Sequence, residues 1–179
     1  MTATEYVVLV DADDREIGQA EKMAAHEKCL LHRAFSVFIF QGQRSTIQPD
    51  SKLLLQQRAL HKYHSAGLWT NTCCSHPRPN EDILKAGERR LLEELGFTTS
   101  LENKGFFQYT AHFANGLSEN EVDHVLVGFL DHDITIQHNP EEVHMTRWIS
   151  IAALKQELSA QPEKFTPWLL QALEHAVNS

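Results

Sequence analysis

Apolar and polar positions along the chain mark out most of its elements. The run YVVLV at 6–10, closed by DADD, predicts a strand and a turn. EKMAAHEKCLLH has weak helical character. RAFSVFIF at 33–40 alternates and is rich in aromatic and β-branched residues, which predicts a strand, as does KLLLQQR at 52–58. LWTNTCC predicts a short strand entering a loop at SHPRPN. The clearest helix follows: Asn80 is expected to cap it, Glu81 and Asp82 suit its positive end, and Gly96 suits its close. Leu84, Gly87, Leu91, Leu92 and Leu95 recur on one expected face. GFFQYTAHF and EVDHVLVGFL predict two strands joined through ANGLSEN, where Asn115-Gly116 is a strong turn signal. HMTRWIS predicts a short strand, and IAALKQELSA and PWLLQALEHAV predict amphipathic helices. Strands, a central helix, more strands and closing helices make an α+β or three-layer α/β arrangement.

Composition narrows this further. At 179 residues the chain is expected to form one domain, 1–179, large enough to bury a core without staples. A formal net charge of -8 argues against a nucleic-acid partner gripped through phosphate neutralisation. The three cysteines, two of them adjacent, make a poor disulfide framework and suit a reducing compartment. The start MTATEYVVLVDADD lacks a basic region before an apolar run, and no stretch reaches the length of a membrane span. The expectation is a cytoplasmic monomer without a membrane partner. Eleven histidines invite a search for metal or proton chemistry.

Several groups stand out, each with an ordinary reading beside it. In TNTCCSHP, an extended backbone would put Thr72, Cys74 and His76 on one side and Cys73 on the other. His76 could then lower the pKa of Cys74 or share a metal with it; the plain alternative is a small buried cysteine. In ENE, the same alternation sends Glu119 and Glu121 one way, able to bind a cation or keep one carboxyl protonated, unless they form a solvated strand end. His26 and His32 bracket EKCLL at no standard zinc spacing. The remaining histidines and Cys29 are given no role. Arg90 and Glu94 meet on one helix face, where the carboxylate could hold Mg²⁺ and the arginine a diphosphate, or the two form an exposed ion pair. Lys22, Arg58 and Lys62 could form a basic patch for a phosphorylated substrate, or be solvated.

Together LLHRAFSVFIF, LLLQQR, TNTCCSHP, RRLLEELG, SENEVDH and the late TPW occur in an order and spacing that resemble the type I isopentenyl-diphosphate isomerases, from about Lys22 to Trp168. The resemblance implies the Nudix fold, a mixed β-sheet sandwiched between helices. Against the Nudix box the chain gives Ser75, Glu81, Arg89, Arg90, Leu91, Glu93, Glu94, Gly96 and Phe97. Ser75 replaces a glycine. Arg90 replaces a glutamate that helps assemble the Mg²⁺ site of the hydrolases, which favours isomerisation.

The resemblance further implies one divalent metal (Mn²⁺, Zn²⁺ or Mg²⁺) on His26, His32, His76, Glu119 and Glu121. It implies Mg²⁺ on the substrate diphosphate through Glu94, and diphosphate contacts from Lys22, Arg58, Lys62 and Arg90. Cys74 and Glu121 would be the catalytic pair, with Tyr109 beside the glutamate and Trp168 against the isoprenoid. The implied reaction protonates isopentenyl diphosphate at C4 and removes a proton from C2, giving dimethylallyl diphosphate through a tertiary carbocation. Two rivals are a Nudix hydrolase of a nucleoside diphosphate derivative and a non-catalytic metal-binding module.

Overall fold

The computed structural model describes residues 4–43, 46–131 and 134–178; His132 lies outside them. Among the described residues nine strands form one sheet: β1 (Tyr6–Val10), β2 (Glu16–Glu21), β3 (His32–Gln41), β4 (Lys52–Arg58), β5 (Trp69–Thr70), β6 (Cys73–Ser75), β7 (Leu101–His112), β8 (Ser118–Leu130) and β9 (Val143–Ser150). The helices are α1 (Lys22–Glu27), α2 (Ile83–Leu95), α3 (Ile151–Ala160) and α4 (Leu169–Asn178).

β3 and β8 are the apolar axis, paired in parallel from His32↔Glu121 to Gln41↔Leu130. Such strands are buried on both faces and read as near-continuous apolar runs. Alternate residues then go opposite ways: Phe38 and Phe40, with Leu53 and Leu55, pack beneath α3 and α4 against Leu154, Leu169 and Leu173. Val37 and Ile39, with Leu54, pack beneath α2 against Leu91 and Leu95. The mixed sheet is thus sandwiched between helices, as expected. α2 sits close to the sheet because Gly87 lies there: a Cβ at that position would come within 2.7 Å of Leu101 and 2.8 Å of Leu126.

Two expectations about local structure are corrected, and one strand went unpredicted. Asp82, not Asn80, caps α2; its side chain accepts from the Leu84 and Lys85 amides. A capping residue must be extended, as Asp82 is (φ -63, ψ 138), whereas Asn80 takes the left-handed φ of 64 inside the preceding turn. Leu92 is 56% exposed and does not join Leu91 and Leu95 in the core. β2 carries no apolar run that would announce it: EIGQAE is mostly exposed and exists by pairing antiparallel with β1. Gly96 ends α2 at φ 75, the left-handed conformation glycine adopts without strain.

Candidate active site

The parallel pairing of β3 and β8 sets His32 directly beside Glu121. Glu119, two residues earlier on β8, projects to the same side, so the carboxylates of ENE converge as the strand period requires. β6 runs antiparallel to β3, with Ser36↔Cys74, and carries the chain on to His76. α1 supplies His26 and is tied to β8 by the Ser118 hydroxyl, which donates to the His26 carbonyl at 2.8 Å. One nitrogen or oxygen of each of His26, His32, His76, Glu119 and Glu121 falls within 4.8 Å of every other.

This donor set fits a divalent cation. His26 Nδ1 lies 2.7 Å from the Lys22 carbonyl and His32 Nδ1 2.8 Å from the Leu30 carbonyl. A carbonyl only accepts, so both rings carry hydrogen on Nδ1 and direct the Nε2 lone pair inward, as metal-bound histidines do. His26 Nε2 and Glu119 Oε2 lie 3.2 Å apart, yet each is buried without a hydrogen bond. His32 Nε2 and His76 Nε2 face each other at 3.2 Å, and Glu121 Oε1 is 2.9 Å from His76 Nε2 and 3.4 Å from His32 Nε2. Unsatisfied buried polar atoms are costly, and a shared cation would satisfy these together.

The electrostatics agree. Burial lowers the His76 pKa to about 3, which keeps the ring neutral. Burial and the neighbouring Glu121 charge push Glu119 up to about 7. Burial also penalises the Glu121 charge, but His32 and His76 outweigh it and hold this carboxyl well below its ordinary value. Tyr109, facing Glu121 across the β7–β8 pair, donates its hydroxyl to Glu121 Oε2 at 2.6 Å. His64, which was given no role, places Nε2 2.6 Å from Glu119 Oε1 and stacks on Phe113 at 4.6 Å between ring centroids.

Cys74 is not activated in the way its position beside His76 suggests. The chain bends at Asn71 and Thr72, which breaks the expected alternation. Thr72 turns its hydroxyl into the sheet, donating to the Leu54 carbonyl and accepting from the Ile39 amide. The Cys74 sulfur meets Asn71 Oδ1 at 3.0 Å, Trp168 Nε1 at 3.2 Å and Thr70 Oγ1 at 3.6 Å. Burial, with the Asp123 charge nearby, pushes its pKa up to about 12, so the group is a thiol. Cys73 packs in the core under α2, as expected, and all three cysteines are free.

Cys74, Glu121, Tyr109 and Trp168 line one cavity of ≈ 690 Å³. Lys22, Arg58, Lys62 and Arg90 line the same cavity. Most of these cations are already paired. Lys22 binds Glu5 at 2.7 Å, Lys62 binds Glu142, and Arg90 reaches Glu94 at 2.5 Å and Glu142 at 3.4 Å. Arg58 sits over the Trp168 ring, 5.8 Å from its centroid. Glu94 stands outside the five-donor cluster; it is buried rather than an exposed strand of charge on α2, and its second oxygen accepts from Gln56 at 2.9 Å.

Comparison with known proteins bears on what this arrangement does. The NUDIX domain family matches residues 30–169. A Serratia proteamaculans protein named isopentenyl-diphosphate Delta-isomerase is 48% identical over 170 residues, 95% of this chain and 90% of its own. A Photobacterium profundum protein of the same name is 47% identical over 180 residues, 99% of this chain and 97% of its own. Among solved structures, a Deinococcus radiodurans protein superposes with a TM-score of 0.64 at 20% identity, covering 88% of this chain and 90% of its own; at that identity the likeness is one of fold.

Proposed function

The chain belongs to the isopentenyl-diphosphate Delta-isomerases of the NUDIX family, and from this premise we propose how its residues move the double bond. It is an enzyme that isomerises isopentenyl diphosphate to dimethylallyl diphosphate. The observation that carries the mechanism is that Glu121 belongs to the five-donor cluster and also lines the cavity that holds Cys74.

The reaction adds a proton to C4, forms a tertiary cation at C3 and removes a proton from C2. Two groups must therefore exchange protons with the substrate on a face shielded from water. Glu121, with Tyr109 at 2.6 Å, serves C4, and Cys74 serves C2. In the forward direction Glu121 starts protonated and Cys74 starts as thiolate; at the end the carboxylate is bare and sulfur holds the proton. That final state matches the protonation favoured here, Glu121 ionised and Cys74 neutral. It is also the state from which the reverse reaction starts. The Trp168 ring, beside Cys74, offers a π-face to the cation.

His26, His32, His76, Glu119 and Glu121 would hold one divalent ion, and the mixed nitrogen and oxygen set suits Mn²⁺, Zn²⁺ or Mg²⁺. When bound, such an ion draws electron density from Glu121 and makes it a stronger acid. Glu94 would help hold Mg²⁺ on the substrate diphosphate, and Lys22, Arg58, Lys62 and Arg90 would contact that diphosphate; their shared place on the cavity wall supports this. No helix among the described residues is long and apolar enough to cross a membrane, and three free cysteines suit a reducing cytoplasm. We take the chain to act as a monomeric single domain on a small diphosphate.

Incubation with isopentenyl diphosphate in deuterated water should yield dimethylallyl diphosphate carrying deuterium, without release of phosphate. Cys74→Ala and Glu121→Gln should each remove turnover while leaving the fold intact by circular dichroism. Free phosphate would instead favour the hydrolase reading, and full activity of Cys74→Ala would remove the thiol from the mechanism.

A further inference from the structure

Asn71 lies outside the cavity wall yet touches three groups on it, Thr70, Cys74 and Trp168. It is fully buried. Its Nδ2 donates to the Val37 carbonyl at 3.1 Å and to the Cys73 carbonyl at 2.8 Å. Carbonyls only accept, so this end of the amide must be the NH₂ and both its hydrogens are used. The opposite end, Oδ1, faces donors: the Thr70 hydroxyl at 2.9 Å, the Cys74 thiol at 3.0 Å and the Trp168 indole N–H at 3.3 Å. The indole hydrogen is shared with the Cys74 sulfur at 3.2 Å. Thr70 is held in turn by the Thr166 hydroxyl at 2.9 Å, just ahead of Trp168. No flip of the amide satisfies this surround. One orientation faces donors to acceptors on all sides, and the reverse sets NH₂ against three donors and oxygen against two carbonyls.

We propose that Asn71 is a positioning residue, whose amide, locked by two backbone carbonyls, fixes the Cys74 thiol and the Trp168 indole at a set separation on the cavity wall. The proposal rests on the reading of Cys74 as catalytic. The sulfur sits near the loop bend, and β6 is only three residues long, so the strand gives it little support. Trp168 approaches from a distant part of the chain, just before α4. One buried oxygen joins the two. In the thiol state, from which the reverse reaction starts, the substrate's reacting carbons pass between a proton donor and a π-face, and both must be placed to within a fraction of an ångström for transfer to occur. Asn71 touches neither substrate nor cavity, so its effect must appear in the chemical step.

The test compares Asn71→Ala with the wild-type enzyme and with Cys74→Ala. A misplacement of about 1 Å costs roughly 100-fold in rate, so kcat should fall by about 100-fold while KM stays within about threefold. Iodoacetamide labelling followed by mass spectrometry supplies a second readout. Cys74 should label faster once its anchor is gone, while Cys73, fully buried in the core, should remain unlabelled. If kcat is unchanged, if KM rises in step with the loss, or if Cys73 labels as readily as Cys74, the residue is merely structural and the proposal is overturned. Should Asn71→Ala fail to fold, Asn71→Asp conserves volume but cannot donate to Val37 and Cys73. It should also lose kcat, and retention of full kcat would overturn the proposal. An active Cys74→Ala would sink the underlying reading, whereas an inactive Cys74→Ala beside a fully active Asn71→Ala sinks only this one.

Discussion

At the scale of single residues, the cavity wall that carries Lys22, Lys62 and Arg90 is nearly neutral, because these cations come with carboxylates attached. Glu142 is the clearest case: it holds Lys62 and reaches Arg90 at 3.4 Å, and burial, which opposes its charge, is outweighed by these cations so that its carboxyl lies below its ordinary value. On the proposed reading, an arriving diphosphate would compete with Glu142 for Lys62. Glu142→Gln should therefore bind inorganic diphosphate more tightly, by about fivefold for a partly exposed pair worth about 1 kcal/mol. Isothermal titration would read this directly, and weaker binding would mean that Glu142 assists the diphosphate instead. Of the cations, Arg90 was legible in RRLLEELG and Arg58 at the end of LLLQQR, while Lys22 and Lys62 were singled out with Arg58 as a basic patch. Their counter-charges were not, since Glu5 and Glu142 are far from Lys22 and Lys62 in the chain and sit in no motif. His64 was missed for the same reason: its partner Glu119 reaches it only through the fold. Asn71 lay in plain sight between Thr70 and Thr72, but a buried polar side chain inside a motif rich in chemistry is easily passed over for its neighbours.

At the scale of elements, what was legible followed the burial of each segment. β3, β4 and β8 lie inside the sandwich, so their apolar runs announce them. β2 has one side exposed along most of its length and is fixed by hydrogen bonds to β1, which leave no trace in residue type. The start of α2 was off by two residues because Asn80, Glu81 and Asp82 all suit a helix N-terminus chemically, and backbone geometry alone chooses among them. Glu81 is diverted to accept from the Arg78 amide and to pair with Arg89 at 2.7 Å. Asp82 is left as the cap. Asp82→Ala should cost about 1 kcal/mol of stability, read as a lower urea midpoint with an unchanged slope, whereas Asn80→Ala should not weaken the cap. Equal stability of the two variants would contradict the assignment.

At the scale of the whole molecule, the five-donor cluster fastens parts of the chain that share little else. His26 comes from α1, His32 from β3, His76 from the loop after β6, and Glu119 and Glu121 from β8. Without an ion these groups oppose one another: two carboxylates crowd together, two imidazole nitrogens meet at 3.2 Å, and buried atoms of His26 and Glu119 lack hydrogen bonds. An ion bound only by the folded chain stabilises it in proportion to the logarithm of its concentration. At one hundred times its dissociation constant the gain is about 2.7 kcal/mol, which for a chain of this size raises Tm by about 5–10 °C. Chelation should reverse that rise, and Mn²⁺ or Zn²⁺ should restore it without substrate present. Glu119→Gln should blunt the response, since one ligand charge is lost. Glu94→Gln should leave it intact, because Glu94 lies outside the cluster and would meet an ion only together with the diphosphate. A metal-dependent rise in Tm that survives Glu119→Gln and disappears in Glu94→Gln would move the resident ion from the histidine cluster to α2.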